Sequence, residues 1–129
     1  MIRVVVMGHG GYAEGVRQNL EMIVGPSQHM YFVDLTKEDD LAAFENKVDN
    51  ILKGFNQDDQ VLFACDLLGA SPFRVAAMLC AAHTGKYVTL AGLNPAALLE
   101  LSMESDLSLE EQAGRAVETT KTSVTRFPE

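Results

Sequence analysis

Ile2-Arg3-Val4-Val5-Val6-Met7-Gly8-His9-Gly10-Gly11 is an apolar run that stops where a glycine-rich segment begins. Near-continuous runs of this kind, without alternation, are what a parallel strand covered on both faces needs. The glycines then let the backbone turn and come close to a bound group. In open α/β sheets, ligands sit at the carboxyl ends of strands. A histidine placed there, among residues without side chains, is presented to chemistry rather than packed away. His9 is therefore the first candidate functional residue.

The rest of the chain repeats the pattern. Apolar runs at Ile2–Met7, Met30–Asp34, Val61–Cys65 and Tyr87–Ala91 are expected to be strands. Ala13, Val16, Leu20 and Ile23 recur at helical spacing, as do Leu41, Phe44, Val48 and Ile51. Ser71-Pro72 offers a cap followed by proline for a helix to about His83, with Gly85 as its stop signal. Asn94-Pro95 repeats that logic for a helix to about Met103, and Ser108-Leu109-Glu110-Glu111 is a capping box for a last helix. Strand–helix alternation predicts an α/β domain: a doubly wound, mostly parallel four-stranded sheet with helices on both faces. Thr122–Phe127 breaks the helical pattern with β-branched residues and is expected to pair antiparallel as a fifth strand at a sheet edge, either of its own chain or of a partner subunit in a two-fold homodimer made by exchange.

The chain has 129 residues, 47% of them hydrophobic, which suits one domain over 1–129. A net charge of −8 argues against nucleic acid, whose phosphates call for Lys and Arg. The longest apolar stretch, Val75 to Ala82, is too short to span a bilayer. The first residues lack the features of a signal peptide, and a cytoplasmic protein is expected. The two cysteines, Cys65 and Cys80, form no CxxC pair and lie in apolar segments, so they read as reduced core thiols.

Two loops carry the chemistry. One is Gly8-His9-Gly10-Gly11-Tyr12-Ala13; the other is Cys65-Asp66-Leu67-Leu68-Gly69-Ala70-Ser71-Pro72-Phe73. With the first and third strands adjacent, both loops open into one crevice at the point where the winding direction switches. Asp66 could then reach one ring nitrogen of His9 and leave the other free as a nucleophile; the plainer alternatives are a loop histidine and an aspartate that serves as a cap. The N-terminus of the helix starting at Ser71 favours an anion, of which phosphate is the common one. Histidine, orienting carboxylate and anion site together describe phosphoryl transfer through a phosphohistidine.

Other residues have plainer readings. His29 opens the second strand, His83 closes a helix, and Asp39-Asp40 and Asp58-Asp59 are solvated helix starts and turns. The methionines are mostly core filling. No set of His, Cys, Asp or Glu has metal-ligand spacing, so neither metal nor cofactor is expected. One rival motif remains: Gly8-His9-Gly10-Gly11-Tyr12-Ala13 matches G-x-G-x-x-G/A, and Asp34 follows about 20 residues later, where a ribose-binding acid belongs. Against a dinucleotide site stand the missing second half, the idle Asp66–Ser71 loop and the histidine crowding the turn.

The chain resembles the enzyme IIA component of the mannose-type sugar phosphotransferase system. The likeness rests on Val4–Gly11 with Ala13-Glu14-Gly15, on Val61–Phe73, on Ala91-Gly92-Leu93-Asn94-Pro95 with Leu98, Leu99 and Glu100, and on Ala116–Thr120. It implies that His9 takes phosphate from the carrier HPr and passes it to an enzyme IIB, with Asp66 orienting the imidazole. It places Ser71 beside the phosphoryl group, and Gly10, Leu67 and Ser71 are the expected phosphate-binding positions. It also implies a homodimer acting with a membrane-embedded IIC/IID permease. Two departures stand out. Gly8 and Leu67 occupy positions where some members carry threonine, so two hydroxyls are missing. Two neighbouring roles are a phosphorylation-dependent regulatory module and the phosphocarrier subunit of a dihydroxyacetone kinase. Carriers of the latter kind usually have serine where this chain has Gly10.

Overall fold

The computed structural model describes residues 1–129, in the order β1 (Ile2–His9), α1 (Tyr12–Val24), β2 (Met30–Leu35), α2 (Leu41–Leu52), β3 (Gln60–Cys65), α3 (Ser71–Ala82), β4 (Tyr87–Ala91), α4 (Pro95–Ser102) and α5 (Leu109–Ser123). The four strands are parallel, in the order β2-β1-β3-β4. The connection from β1 moves outward one way and that from β3 the other, so the switch point lies between β1 and β3.

The two central strands are the apolar runs read from sequence. Val4, Val5, Val6 and Met7 have no solvent exposure, and Val61 to Cys65 have at most 1%. Alternation sends them to two cores. Val4, Val6, Leu62 and Ala64 meet α1, α4 and α5 through Leu20, Leu98 and Ala116. Val5, Met7, Phe63 and Cys65 meet α2 and α3 through Phe44, Val48 and Ala76. Burial of each such side chain stabilises the fold by about 1.5–3 kcal/mol, so both faces of the sheet are committed and its register cannot slip.

The structure corrects several expectations. β1 runs two residues further than expected, through Gly8 to His9, because both still pair with β2 at Asp34 and Leu35. The cap of α3 is Ala70, not Ser71; Ser71 is already helical and makes no capping bond. Asp59 is not solvated: it is 3% exposed and accepts from Arg3 Nε at 2.8 Å. Burial alone would raise its carboxyl, but Arg3 and the Asn56 amide outweigh that and hold it below the ordinary value. Of the methionines only Met7 and Met30 are core; Met1, Met22, Met78 and Met103 are exposed. The expected fifth strand is absent from the sheet. Thr122 and Ser123 complete α5, and Val124–Glu129 is exposed and pairs with no strand of its own chain.

Candidate functional site

His9 ends β1 and Asp66 follows the last residue of β3, so the switch point brings them together across the crevice. Several backbone bonds fix the corner. The Asp66 amide donates to Met7 O at 3.0 Å, and the Gly10 amide donates to Leu35 O at 2.9 Å. Gly10 turns the chain away at φ 63°, a conformation that favours glycine. The tight turn expected from the glycines thus has its physical cause at residue 10.

Asp66 Oδ2 accepts two bonds from His9, from its amide at 2.9 Å and from Nδ1 at 2.7 Å. Oδ1 accepts from the Leu67 amide at 2.8 Å. An ionised carboxylate only accepts, so Nδ1 carries a proton and the lone pair sits on Nε2. Burial would raise the Asp66 carboxyl; the His9 side chain and amide, with Leu67, outweigh it and hold it below the usual range. The imidazole is 42% exposed and the carboxylate 12%, which is the asymmetry a presented nucleophile and its support require.

Beside this pair lies the N-terminus of α3. Four other helices have their first amides satisfied by a side chain. Asp34 accepts from Ala13 and Glu14 in α1, at 2.8 and 3.1 Å. Asp40, Asn94 and Ser108 cap α2, α4 and α5. In α3 the amides of Leu68, Gly69, Ser71 and Phe73 have no acceptor within the chain, Pro72 has no N–H, and no side chain caps the turn. Gly69, at φ 79°, bends the loop into this arc, and Arg74 Nε braces it by donating to Gly69 O at 2.8 Å. Unpaired amides at a helix N-terminus can receive an anion. The sequence marks the helix start but not the open amides. The signal for them is the absence of Asp, Asn, Ser or Thr at residue 70.

The remaining candidates fall into structural roles. His29 Nε2 lies 2.7 Å from Leu101 O, and His83 Nδ1 lies 2.9 Å from Leu79 O with its ring stacked on Tyr87. Burial pushes the Cys65 thiol up to about 11, with Thr89 opposing, so it stays protonated and unreactive at neutral pH. Asp34 spends both oxygens on α1, filling the helix N-terminus where a pyrophosphate would sit, and the dinucleotide reading falls with it. Leu67 reaches the site only through its amide; its side chain is 60% exposed and that of Leu68 79%. None of the three principal hollows of the molecule contains His9 or Asp66. The pair stands on an open shelf.

The family described as "PTS system fructose IIA component", EIIA-man, matches residues 3–120. The chain belongs to this family. It is a component of a sugar phosphotransferase system (PTS) of the mannose type. Among its relatives, the fructose-specific EIIA component of Bacillus subtilis is 30% identical over 112 residues, covering 86% of this chain and 76% of that protein. The mannose-specific EIIAB component of Escherichia coli K12 is 29% identical over 125 residues, or 95% of this chain, which spans 38% of that longer protein. The mannose/sorbose-specific IIA subunit of Enterococcus faecalis superposes with a TM-score of 0.87 at 28% identity, covering 98% of this chain and 95% of that one. An EIIA of Streptococcus agalactiae shares the fold with a TM-score of 0.88 at 22% identity, covering 98% of each chain.

Proposed function

We propose that this PTS IIA chain is a phosphocarrier that receives a phosphoryl group from HPr on His9 Nε2 and hands it to an enzyme IIB. The reading rests on one observation: His9, with its Nδ1 proton held by Asp66, stands beside the uncapped amides of α3 at the switch point of the sheet. The Nε2 lone pair attacks phosphorus as the bond from phosphorus to its donor atom on HPr breaks, and the electron pair of that bond returns to the donor atom. The His9 ring gains positive charge, which Asp66 offsets without taking the proton. The amides of Leu68, Gly69 and Ser71, with the Ser71 hydroxyl, receive the phosphoryl oxygens, and Gly10 leaves the approach clear. Leu67 contributes its amide to holding Asp66. Transfer of this kind is positioning plus electrostatics, which is what the site supplies.

The open shelf fits a protein donor better than a small substrate, and the exposed Leu67 and Leu68 side chains give such a partner an apolar rim. No helix is long and apolar enough to cross a membrane. In this reading sugar passage belongs to a separate permease reached through the IIB. We place the chain at the cytoplasmic face of that system, as a homodimer.

Incubation with phosphoenolpyruvate, enzyme I and HPr should place one acid-labile, base-stable phosphate on the chain. His9→Ala should abolish it, and His29→Ala and His83→Ala should not. Label that survives His9→Ala would overturn the assignment.

A further inference from the structure

Gly8 comes immediately before His9, and its position leaves no room for a side chain. A methyl group placed there would lie 2.5 Å from Cδ2, 2.6 Å from Cβ and 2.7 Å from Cγ of Tyr12. These are the root atoms of the side chain, which cannot swing aside as a flexible tip would. Nor can Tyr12 retreat as a whole. It is the first residue of α1, and the next two amides, of Ala13 and Glu14, are pinned to Asp34. Gly8 itself is held by its pairing opposite Asp34 on β2. The Tyr12 ring is thus clamped on the backbone one residue before the histidine. It packs on the core face of Val4 and Val6, opposite to the face taken by Val5 and Met7.

We infer that Gly8 and Tyr12 form an interlock that positions His9 against Asp66. Tyr12 acts through the backbone at Gly8, and the bare position 8 is what admits its ring. This deepens the phosphocarrier reading and rests on it for its kinetic consequence.

A side chain at residue 8 must displace either the ring or the strand end. Displacing the strand end moves the His9 amide and Nδ1 away from Asp66 Oδ2. A misplacement near 1 Å in such a site costs roughly a hundredfold in rate. The test is a double-mutant cycle of Gly8→Ala and Tyr12→Ala, with Tyr12→Phe as the conservative variant. Two readouts are taken on the full chain: transfer rate from phosphorylated HPr, and the imidazole 15N shifts of His9 without phosphate. Gly8→Ala should slow transfer by roughly 10- to 100-fold and move the Nδ1 shift toward that of an unbonded ring. Tyr12→Ala alone should also slow transfer and move the Nδ1 shift, since it removes the support; combined with Gly8→Ala it should cost less than the sum of the two single losses, since the clash is gone; and Tyr12→Phe alone should match wild type. Additive losses in the double variant, or Gly8→Ala at the wild-type rate and shift, would overturn the interlock. A wild-type chain that takes no phosphate would instead remove the phosphocarrier reading, and the 15N shifts would still decide the interlock.

Discussion

Asp66 makes two bonds to His9, and they have different consequences. The bond to the backbone amide fixes where the residue is; the bond to Nδ1 fixes which nitrogen is nucleophilic. Asp66→Asn keeps the shape and one of the two acceptor oxygens, but it cannot offset the charge that grows on the ring during transfer. Hydrogen bonds to charged groups contribute about 1.5–3 kcal/mol, so transfer from HPr should fall about ten- to a hundredfold with the melting curve little changed. A variant that transfers at the wild-type rate in both directions would reduce Asp66 to a turn-holding residue. Both residues are legible in the sequence as candidates, because the glycines and the strand ends mark their places, but a loop histidine and a capping aspartate have the same local pattern, and only the adjacency of β1 and β3 brings them together. Tyr12 is not legible as a partner of Gly8. Their contact depends on how a helix leaves a strand, which no local pattern states.

Among the elements, legibility divides by the distance over which the causes act. Asn94 and Ser108 are readable caps because each bonds an amide three residues on, at Ala97 and Glu111. Ser71-Pro72 carries the same local signal, yet the cap falls one residue earlier, at Ala70, and leaves the first amides of α3 without a side-chain acceptor. Asp59 has the sequence surroundings of a turn residue because its partner Arg3 is 56 residues away. That pair ties the start of β1 to the turn before β3, so both central strands depend on it. The Asp59 carboxyl is held below its unfolded value, so its stabilisation is present above the ordinary carboxylate pKa. It is lost as pH falls through the depressed folded value. Arg3→Met would leave a buried carboxylate with its main counter-charge gone, a change that typically costs about 3–5 kcal/mol. That loss should be full at neutral pH and shrink below about pH 4, where the carboxyl is protonated in the unfolded chain. Denaturant melts at the two pH values would read it, and an equal loss at both would show that packing rather than charge holds the corner.

For the molecule as a whole, the tension lies at the outer edge of β4. The strand pairs with β3 on one side only, and none of its five residues is buried. An open edge invites another strand. Val124 and Phe127, 75% and 94% exposed, lie in a segment that covers nothing in its own chain. The end of α5 is tied to the residue before α4: Asn94 Nδ2 donates to Ser123 Oγ at 2.7 Å, and the Asn94 amide donates to Thr120 Oγ1 at 3.3 Å. The tail therefore departs from the end of the sheet where β4 finishes and where His9 stands. A segment that leaves there and turns back along β4 of its own chain would run antiparallel to it. Thr122–Phe127 has the composition of a strand, yet in the single chain Thr122 and Ser123 end α5 and the rest pairs with no strand, so the β4 edge of a second copy is the expected place for it. Reciprocal exchange of the two tails would make a two-fold dimer with both β4 edges covered. Truncation after Ser123 keeps α5 and its ties to Asn94 while removing the exchanged segment. Light scattering at micromolar concentration should then show a dimer for the full chain and a monomer for the truncated one. A full-length monomer, or a truncated chain that dimerises equally well, would leave the tail without this role.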